Sequence, residues 1–356
     1  MQLLANVQKR GMSKYTFIDL FSGCGGLSLG FEWAGFRGLL AIDNCRDALA
    51  TYCYNRNGAH VLCTDIEKLD ASALLQGFGG THVDLIIGGP PCQGFSIAGK
   101  RLVDDKRNAL YKSFVRFVAT FRPKALVLEN VPNILSIGNG AIKEAIVEDF
   151  SELGYTIEYK VLLASDYGVP QNRRRAFFVG LLNGKSFQFP KKLVESPITS
   201  FEALSDLGEN TVTDGSAYAI PPQSKFQELM RRGSVGIYNH QATAHTYKTV
   251  KTIALVPDGG NYEDLPMELQ NTRKVNIAWT RLNSQRPSFT IDTGHYHHFH
   301  YKYNRVPTVR ESARLQSFPD NFIFKGGKGS QLRQVGNAVP PLLARAIAHS
   351  LMQQIN

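Results

Sequence analysis

The sequence predicts an α/β protein built on a doubly wound, mostly parallel β-sheet, with a second and smaller domain late in the chain. Apolar runs alternate with amphipathic stretches through the first half, as βαβ units require. Glycines, prolines or carboxylates follow several of these runs, at the positions where open α/β sheets bind ligands. The candidate strands are residues 15–20, 38–43, 85–89, 125–129, 155–163 and 176–181.

Composition limits the class of protein. The chain has 356 residues, 43% of them hydrophobic, which is enough for two domains with a sizeable core. We find no run of about 18 apolar residues and no signal segment, so we expect a cytoplasmic protein without membrane spans. The five cysteines lack the spacing of a disulfide framework or a structural zinc site. A formal charge of +10 favours a polyanionic partner.

A change in composition predicts the domain boundary. Residues 187–252 are richer in proline, glycine, serine, glutamine and threonine and have weaker periodicity. Helical patterns return at 308–318, where Thr308 and Glu311 match a capping box, and at 339–354. We therefore expect a main domain of residues 1–185 plus 326–356 and a smaller domain of residues 186–325.

A glycine-rich turn follows the first strand and opens a helix, an arrangement that lets backbone approach a ligand closely. It matches neither the P-loop nor the dinucleotide fingerprint, and no lysine or arginine lies near it to bind phosphate. Asp43 ends the second strand, where nucleotide folds bind a ribose. An adenosyl ligand without phosphates fits this pattern. Asp65, after the third strand, could accept from an adenine amino group or could cap a helix.

Three further segments contain reactive or charged residues. Cys92 follows an apolar run and lies between prolines and glycines, so it is a candidate nucleophile, with a small buried turn cysteine as the alternative. Glu129 ends a buried strand and is a candidate acid with a raised pKa, or else a helix cap or salt-bridge partner. Arg173 and Arg175 precede another apolar strand, and strand alternation predicts that they face one side.

Six segments resemble the motifs of the C5-cytosine DNA methyltransferase family, both in their residues and in their order along the chain. The resemblance covers about residues 15–182 and 280–350, and the family uses the segment between them for target recognition. It implies a Rossmann-like S-adenosylmethionine-dependent methyltransferase fold, with a catalytic main domain and a DNA target-recognition domain. The matching segments are residues 17–35, 84–96, 123–131, 166–180, 308–321 and 334–341.

The resemblance implies cytosine-5 methylation of a base flipped out of a specific duplex DNA sequence. Cys92 would add to C6 of cytosine, and Glu129 would support the ring at N3. Arg175, together with Arg173, would hold the O2 side and the thiolate. The methyl group of S-adenosylmethionine would then be transferred to C5, and no metal ion is required.

The family also implies binding residues. For S-adenosylmethionine they are Phe21, Ser22, Gly23, Cys24, Gly25, Gly26, Asp43, Asp65, Ile66, Pro90 and Asn337. The family usually has glutamate at the position of Asp43, which is one methylene shorter. DNA contacts are expected in the loop after Cys92 and in the recognition segment, at Ser96, Lys100, Arg101, Arg231, Arg232, Gln241 and Thr246.

A histidine and aromatic run, residues 294–301, raises the question of a metal site. His295 and His297 could share one face of a strand, but no cysteine or carboxylate nearby completes a coordination set. We therefore expect no metal, and instead an aromatic-rich strand and turn that faces DNA.

Two alternatives to a DNA methyltransferase stay open. The tRNA cytosine-5 methyltransferases of the same fold share the catalytic residues, but their typical Cys-Phe-Thr tripeptide is missing from this recognition segment. A catalytically silent nucleic-acid-binding relative would lose the cysteine, glutamate or glycine motifs, all of which are present. The sequence favours the modification enzyme of a restriction–modification system. We expect a monomer on double-stranded DNA, in the cytoplasm near the nucleoid, that does not bind its cognate endonuclease.

Overall fold

The computed structural model describes residues 15–79, 82–91, 108–182, 184–270, 279–291 and 298–355. Two compact units divide the chain. Unit one comprises the described residues up to Leu163, then Arg174–Lys191 and the residues from Leu343 onward. Unit two comprises Ala164–Arg173 and Lys192–Leu342. Its short first stretch includes Gln171 and Asn172, which pair in parallel with Ser288 and Phe289.

Unit one is built on a β-sheet. Its strands are β1 (Thr16–Leu20), β2 (Arg37–Asp43), β3 (Val61–Cys63), β4 (Leu85–Gly88), β5 (Ala125–Asn130), β6 (Tyr155–Leu163) and β7 (Arg174–Leu182). Within the described residues these seven strands have the order β3-β2-β1-β4-β5-β7-β6. Neighbours from β3 to β5 are parallel, whereas β7 is antiparallel to both β5 and β6. The predicted mostly parallel sheet is confirmed.

Helices connect and cover these strands. They are α1 (Gly26–Trp33), α2 (Arg46–Tyr54), α3 (Ala71–Gly77), α4 (Ala109–Phe121), α5 (Ala141–Glu152) and α12 (Pro341–Gln354). Helix α4 shows why they pack: Phe114, Phe117 and Phe121 recur at helical spacing and are buried in the core. Each buried phenylalanine stabilises the fold by about 1.5–3 kcal/mol. The result is a rigid base for the strand ends.

Helix α12 begins at the end of unit two, and from Leu343 onward it belongs to unit one. Gln354 and Ser350 each donate a side-chain hydrogen bond to the Gln188 carbonyl, at 3.0 and 2.6 Å. The predicted helix at 339–354 is thus observed, beginning at Pro341. Across the described ranges, no helix is long and apolar enough to cross a membrane.

Unit two consists of short helices and loops. The helices are α6 (Ser200–Leu204), α7 (Lys225–Arg231), α8 (Tyr247–Ala254), α9 (Met267–Gln270), α10 (Val309–Leu315) and α11 (Lys328–Asn337). One apolar cluster includes Ile253, Trp279 and Phe299. The predicted capping box of α10 is confirmed, with Thr308 and Glu311 bonded to each other's backbone N–H groups.

A buried ionic network runs through α10. The Arg314 guanidinium donates to Asp206 Oδ1 and Asp320 Oδ2, both at 2.6 Å, and all three side chains are inaccessible to solvent. Arg310 donates to three backbone carbonyls. Burying a charge is costly unless it is paired and hydrogen-bonded, and these contacts supply the pairing. Unit two is therefore held together by polar bonds as well as by its apolar cluster.

Candidate active site

The carboxyl ends of β1, β2, β4 and β5 lie at the same edge of the sheet, because these strands are parallel. Each is followed or ended by a segment that the sequence analysis singled out. The glycine-rich turn follows β1, Asp43 ends β2, Gly89 and Pro90 follow β4, and Glu129 lies near the end of β5. Parallel strands therefore gather the predicted chemistry at one edge.

An ion pair joins Glu129 to Arg175 at this edge. Arg175 Nε lies 2.9 Å from Glu129 Oε1, and the two side chains are only 14% and 12% exposed. Strand direction explains the contact: β7 begins where β5 ends, and Asn130 is paired with Ala176. The salt-bridge role considered for Glu129 is thus observed. It holds the carboxylate in one orientation at the edge of the sheet.

The start of the Pro-Cys segment lies close to the Glu129 carboxylate and is bonded to the neighbouring Asn130. A Cβ atom at Gly89 would lie 2.8 Å from Glu129 Oε2, so a larger residue there would push the carboxylate out of its observed position. The Asn130 side-chain amide donates to the Pro90 carbonyl at 2.9 Å. Cys92 itself lies outside the described residues. It follows Pro91 directly, so these contacts fix the start of the segment that contains it.

Arg173 and Arg175 bind different partners. Arg173 belongs to unit two, is 1% exposed, and donates to the Gly336 carbonyl. Arg175 belongs to unit one and pairs with Glu129. The Arg173 guanidinium therefore bonds to the protein backbone, and the catalytic role of Arg173 stays a prediction.

The glycine-rich turn is bonded to the end of β2. The Gly23 and Cys45 N–H groups donate to the two Asp43 carboxylate oxygens, each at 2.8 Å. Gly23 and Gly25 have φ angles of +53° and +88°, which favour glycine. No atom lies within 4 Å of a Cβ built at Gly23, so its outer side is open among the described residues. The turn has space for a ligand and an acid beside it.

The other predicted cofactor residues fall into several environments. Phe21 is half-buried with a φ of +63°, and Pro90 and Ile66 are buried. Burial raises the pKa of the Cys24 thiol to about 12, so this cysteine is not a ready nucleophile. Asp65 caps the short helix after β3 by accepting the Glu67 N–H at 3.1 Å, as its alternative role required. Asn337 is exposed at the end of α11 in unit two.

The predicted DNA contacts differ in availability. Ser96, Lys100 and Arg101 lie outside the described residues. The Arg231 guanidinium lies over the Tyr218 ring, 3.6 Å from its centroid, and its Nη1 is 3.2 Å from Asp206 Oδ2. Three other predicted contacts are exposed: Arg232, Gln241 and Thr246. Thr246 is also the N-cap of α8.

Two members of the histidine run are described, His298 and His300, and the centroid of the His298 ring lies 4.2 Å from that of Phe289. His295 and His297 lie outside the described residues. Burial lowers the pKa of His300 to about 4, and its ring stacks on Tyr301 and Tyr303. No group of three or more metal-ligating side chains occurs in the part of the chain that the structure describes.

Sequence reasoning missed several residues of this edge. Asn130 holds the Pro90 carbonyl, and its position directly after Glu129 was the available signal. Asp19 lies within the apolar run of β1, where an acid is itself unusual. Burial raises its pKa to about 7, although Ser28 donates to its Oδ2. This acid lies beneath the glycine-rich turn.

The doubly wound sheet and the ion-paired carboxylate at its carboxyl edge fit the α/β methyltransferase class that the sequence resembles. The sequence profile of the C-5 cytosine-specific DNA methylases matches residues 15–353, and the chain belongs to this family. The predicted family and its DNA cytosine-5 methyltransferase activity are confirmed.

Named relatives and a solved structure agree with this assignment to the family. The chain is 41% identical to Type II methyltransferase M.DdeI of Desulfomicrobium norvegicum over 365 residues, which cover 94% of this chain and 88% of the relative. It is 40% identical to Type II methyltransferase M1.HphI of Haemophilus parahaemolyticus, covering 95% and 87%. A DNA modification methyltransferase encoded within an E. coli prophage is similar in structure, with a TM-score of 0.78, 30% identity and coverage of 96% and 99%.

Proposed function

We propose that this protein methylates C5 of cytosine within one specific double-stranded DNA sequence, as the modification enzyme of a type II restriction–modification system. The contact that supports the proposed site best is the Arg175–Glu129 ion pair beside Gly89. It places an oriented carboxylate and a guanidinium at the start of the segment that contains Cys92. The names of the related type II methyltransferases support the biological setting.

The glycine-rich turn fits S-adenosylmethionine as the cofactor. Each Asp43 oxygen accepts one N–H group and keeps a lone pair for a ribose hydroxyl. Ser22 Oγ is buried and has no hydrogen-bond partner among the described residues. The open side of Gly23 leaves room for the ligand. When bound, the cofactor supplies an electrophilic methyl group. The other proposed contacts are Phe21, Cys24, Gly25, Gly26, Asp65, Ile66, Pro90 and Asn337.

The proposed chemistry assigns one task to each side chain. Cys92 adds to C6 of cytosine as a thiolate, which makes C5 nucleophilic. Glu129, once protonated, donates to N3 and withdraws electron density from the ring, while Arg175 orients Glu129 and holds the O2 side and the thiolate. Arg173 is proposed to act with Arg175 on the O2 side and the thiolate. Once C5 has gained the methyl group and the cofactor has departed as its demethylated thioether, a base or water removes the C5 proton, and Cys92 leaves.

We assign DNA reading to the recognition segment in unit two and to the loop after Cys92. Arg232, Gln241 and Thr246 are the exposed candidates there, and Ser96, Lys100 and Arg101 are the candidates in the loop. Arg231 would have to leave Asp206 and Tyr218 to reach a base. The enzyme acts as a monomer in the cytoplasm, and a cognate endonuclease shares its target sequence without binding it.

Bisulfite sequencing tests the substrate. In DNA from cells that express this protein, we expect unconverted cytosine at one position of one short sequence, and full conversion elsewhere. Cells that express the Cys92→Ser variant are the control. Protection of a tRNA cytosine without protection of DNA would support the tRNA alternative instead.

Glu129→Gln is expected to slow methyl transfer by about 10²-fold and to leave residual activity. Glutamine keeps a hydrogen bond to the base but loses the titrating group and the charge that pairs with Arg175. Single-turnover rates with saturating DNA and cofactor measure the effect. Glu144→Gln, at a side chain that is 74% exposed on α5, is the matched control and should keep the wild-type rate. A wild-type rate in Glu129→Gln would remove Glu129 from the mechanism.

A further inference from the structure

An arginine that belongs to none of the six motifs is hydrogen-bonded to the glycine-rich turn. Arg56 lies just after α2, and its Nη2 donates to the Gly25 carbonyl at 2.8 Å. Its Nε lies 2.7 and 2.9 Å from the two carboxylate oxygens of Glu32 in α1. One guanidinium thus joins the turn to the helix that the turn opens.

Tyr52 completes the support on the same side. The Arg56 guanidinium lies over the Tyr52 ring, 4.0 Å from its centroid. The Tyr52 hydroxyl is hydrogen-bonded to Ser28 Oγ at 3.0 Å, and Ser28 donates to Asp19. A chain of contacts therefore runs from α2 through α1 to β1, beneath the turn.

The turn packs against these two side chains without a gap. A Cβ built at Gly25 would lie 2.6 Å from both Arg56 Nη1 and the Tyr52 ring. Gly25 is the N-cap of α1 in the left-handed conformation, and no side chain caps the helix there. Its carbonyl accepts the Leu29 N–H as well as Arg56. One of the bonds that orient this peptide thus comes from outside the turn.

The charge of Arg56 is compensated within the protein. Burial alone would lower its pKa, but Glu32 raises the pKa above the ordinary value. Its side chain is 9% exposed, so it presents little charge to solvent or to DNA. A buried arginine that is paired in this way acts on neighbouring groups rather than on polyanions in solution.

We infer that Arg56 is a positioning residue for the cofactor, which acts by fixing the Gly25 peptide so that the turn is already in its binding conformation. This inference rests on the proposed binding of S-adenosylmethionine at the turn. A preformed turn avoids an ordering cost on binding. Loss of Arg56 should therefore weaken cofactor affinity, with little effect on the rate once cofactor is saturating.

The test compares Arg56→Met and Arg56→Lys with Arg37→Met, an exposed arginine at the start of β2. Calorimetry measures the Kd for S-adenosylmethionine without DNA, and steady-state assays at saturating DNA measure KM and kcat. For Arg56→Met we expect Kd and KM to rise by about tenfold or more, and kcat to stay within about threefold. Arg56→Lys should give an intermediate Kd, since lysine keeps the charge but cannot make both sets of bonds. Arg37→Met should match the wild type.

A wild-type Kd in folded Arg56→Met would overturn the inference. If the thermal unfolding midpoint is also lower and the Kd was measured well below that temperature, Arg56 only stabilises the fold. If Arg56→Met does not fold, Arg56→Lys decides by the same Kd measurement. If wild-type protein fails to bind S-adenosylmethionine, the proposed function fails instead, so the two failures are distinguishable.

Discussion

Cys92→Ser is expected to lower methyl transfer to DNA by about 10³-fold or more, while binding of DNA and cofactor survives. A free thiol with a pKa of about 8.5 is a few per cent thiolate near pH 7, and a neighbouring guanidinium raises that fraction. A serine hydroxyl ionises far less and is a harder nucleophile. Transfer of a labelled methyl group to a target duplex measures the rate, and equilibrium binding measures the two affinities.

A mechanism-based substrate distinguishes chemistry from folding in this variant. Duplex DNA with 5-fluorocytosine at the target should form a covalent adduct with wild-type protein, since fluorine cannot leave as a cation. Cys53→Ser, at an exposed cysteine of α2, is the matched control and should still form it. An adduct with Cys92→Ser, or none with a wild-type enzyme shown to methylate its site, would show that Cys92 is not the nucleophile.

Arg314→Met is expected to destabilise the protein by about 3–5 kcal/mol at neutral pH. The variant leaves Asp206 and Asp320 buried without the guanidinium that each contacts at 2.6 Å. Urea unfolding measures the free energy. Arg333→Met, an exposed arginine of α11, is the matched control and should change it by less than about 0.5 kcal/mol.

The loss of stability in Arg314→Met should depend on pH, with a definite sign. Burial alone would raise the pKa of Asp320, but Arg314 lowers it below the ordinary value. The wild type therefore gains stability from Asp320 above that ordinary pKa and loses it as pH falls. The difference between wild type and Arg314→Met should be largest near neutral pH and should narrow as pH falls below about 4, through the lowered pKa of Asp320. A difference that does not change with pH would contradict the ionic explanation.

The local sequence pattern was sufficient to predict most of the elements of unit one. Each predicted strand corresponds to an observed one, because apolar runs of this length are typical of buried strands and the mixed apolar and polar pattern of 155–163 suits an edge strand. The capping box of α10 followed from Thr308 and Glu311 alone. The turn after β1 followed from its glycines. In each case the signal and the structure concern the same few residues.

Contacts between distant residues were not predictable in this way. The Arg175–Glu129 pair depends on β7 being antiparallel to β5, a direction that apolar runs do not encode. Charged residues in a sequence suggest a solvated surface, yet Arg310 and Arg314 are among the largest fully buried side chains. Arg56 belongs to no motif, and only the fold shows that it contacts Gly25.

The path of the chain between the two units has a consequence for synthesis on the ribosome. The chain leaves unit one after Leu163 and again after Lys191, and it returns for good only at Leu343. Helix α12 therefore emerges about 160 residues after β7 ends, roughly 10–30 s later at ordinary translation rates. Leu343, Ile347 and Leu351 of this helix are fully buried in the finished protein. During that time the surface of the sheet domain that these three side chains cover in the finished protein stays exposed. Chaperones would bind the nascent domain in this period.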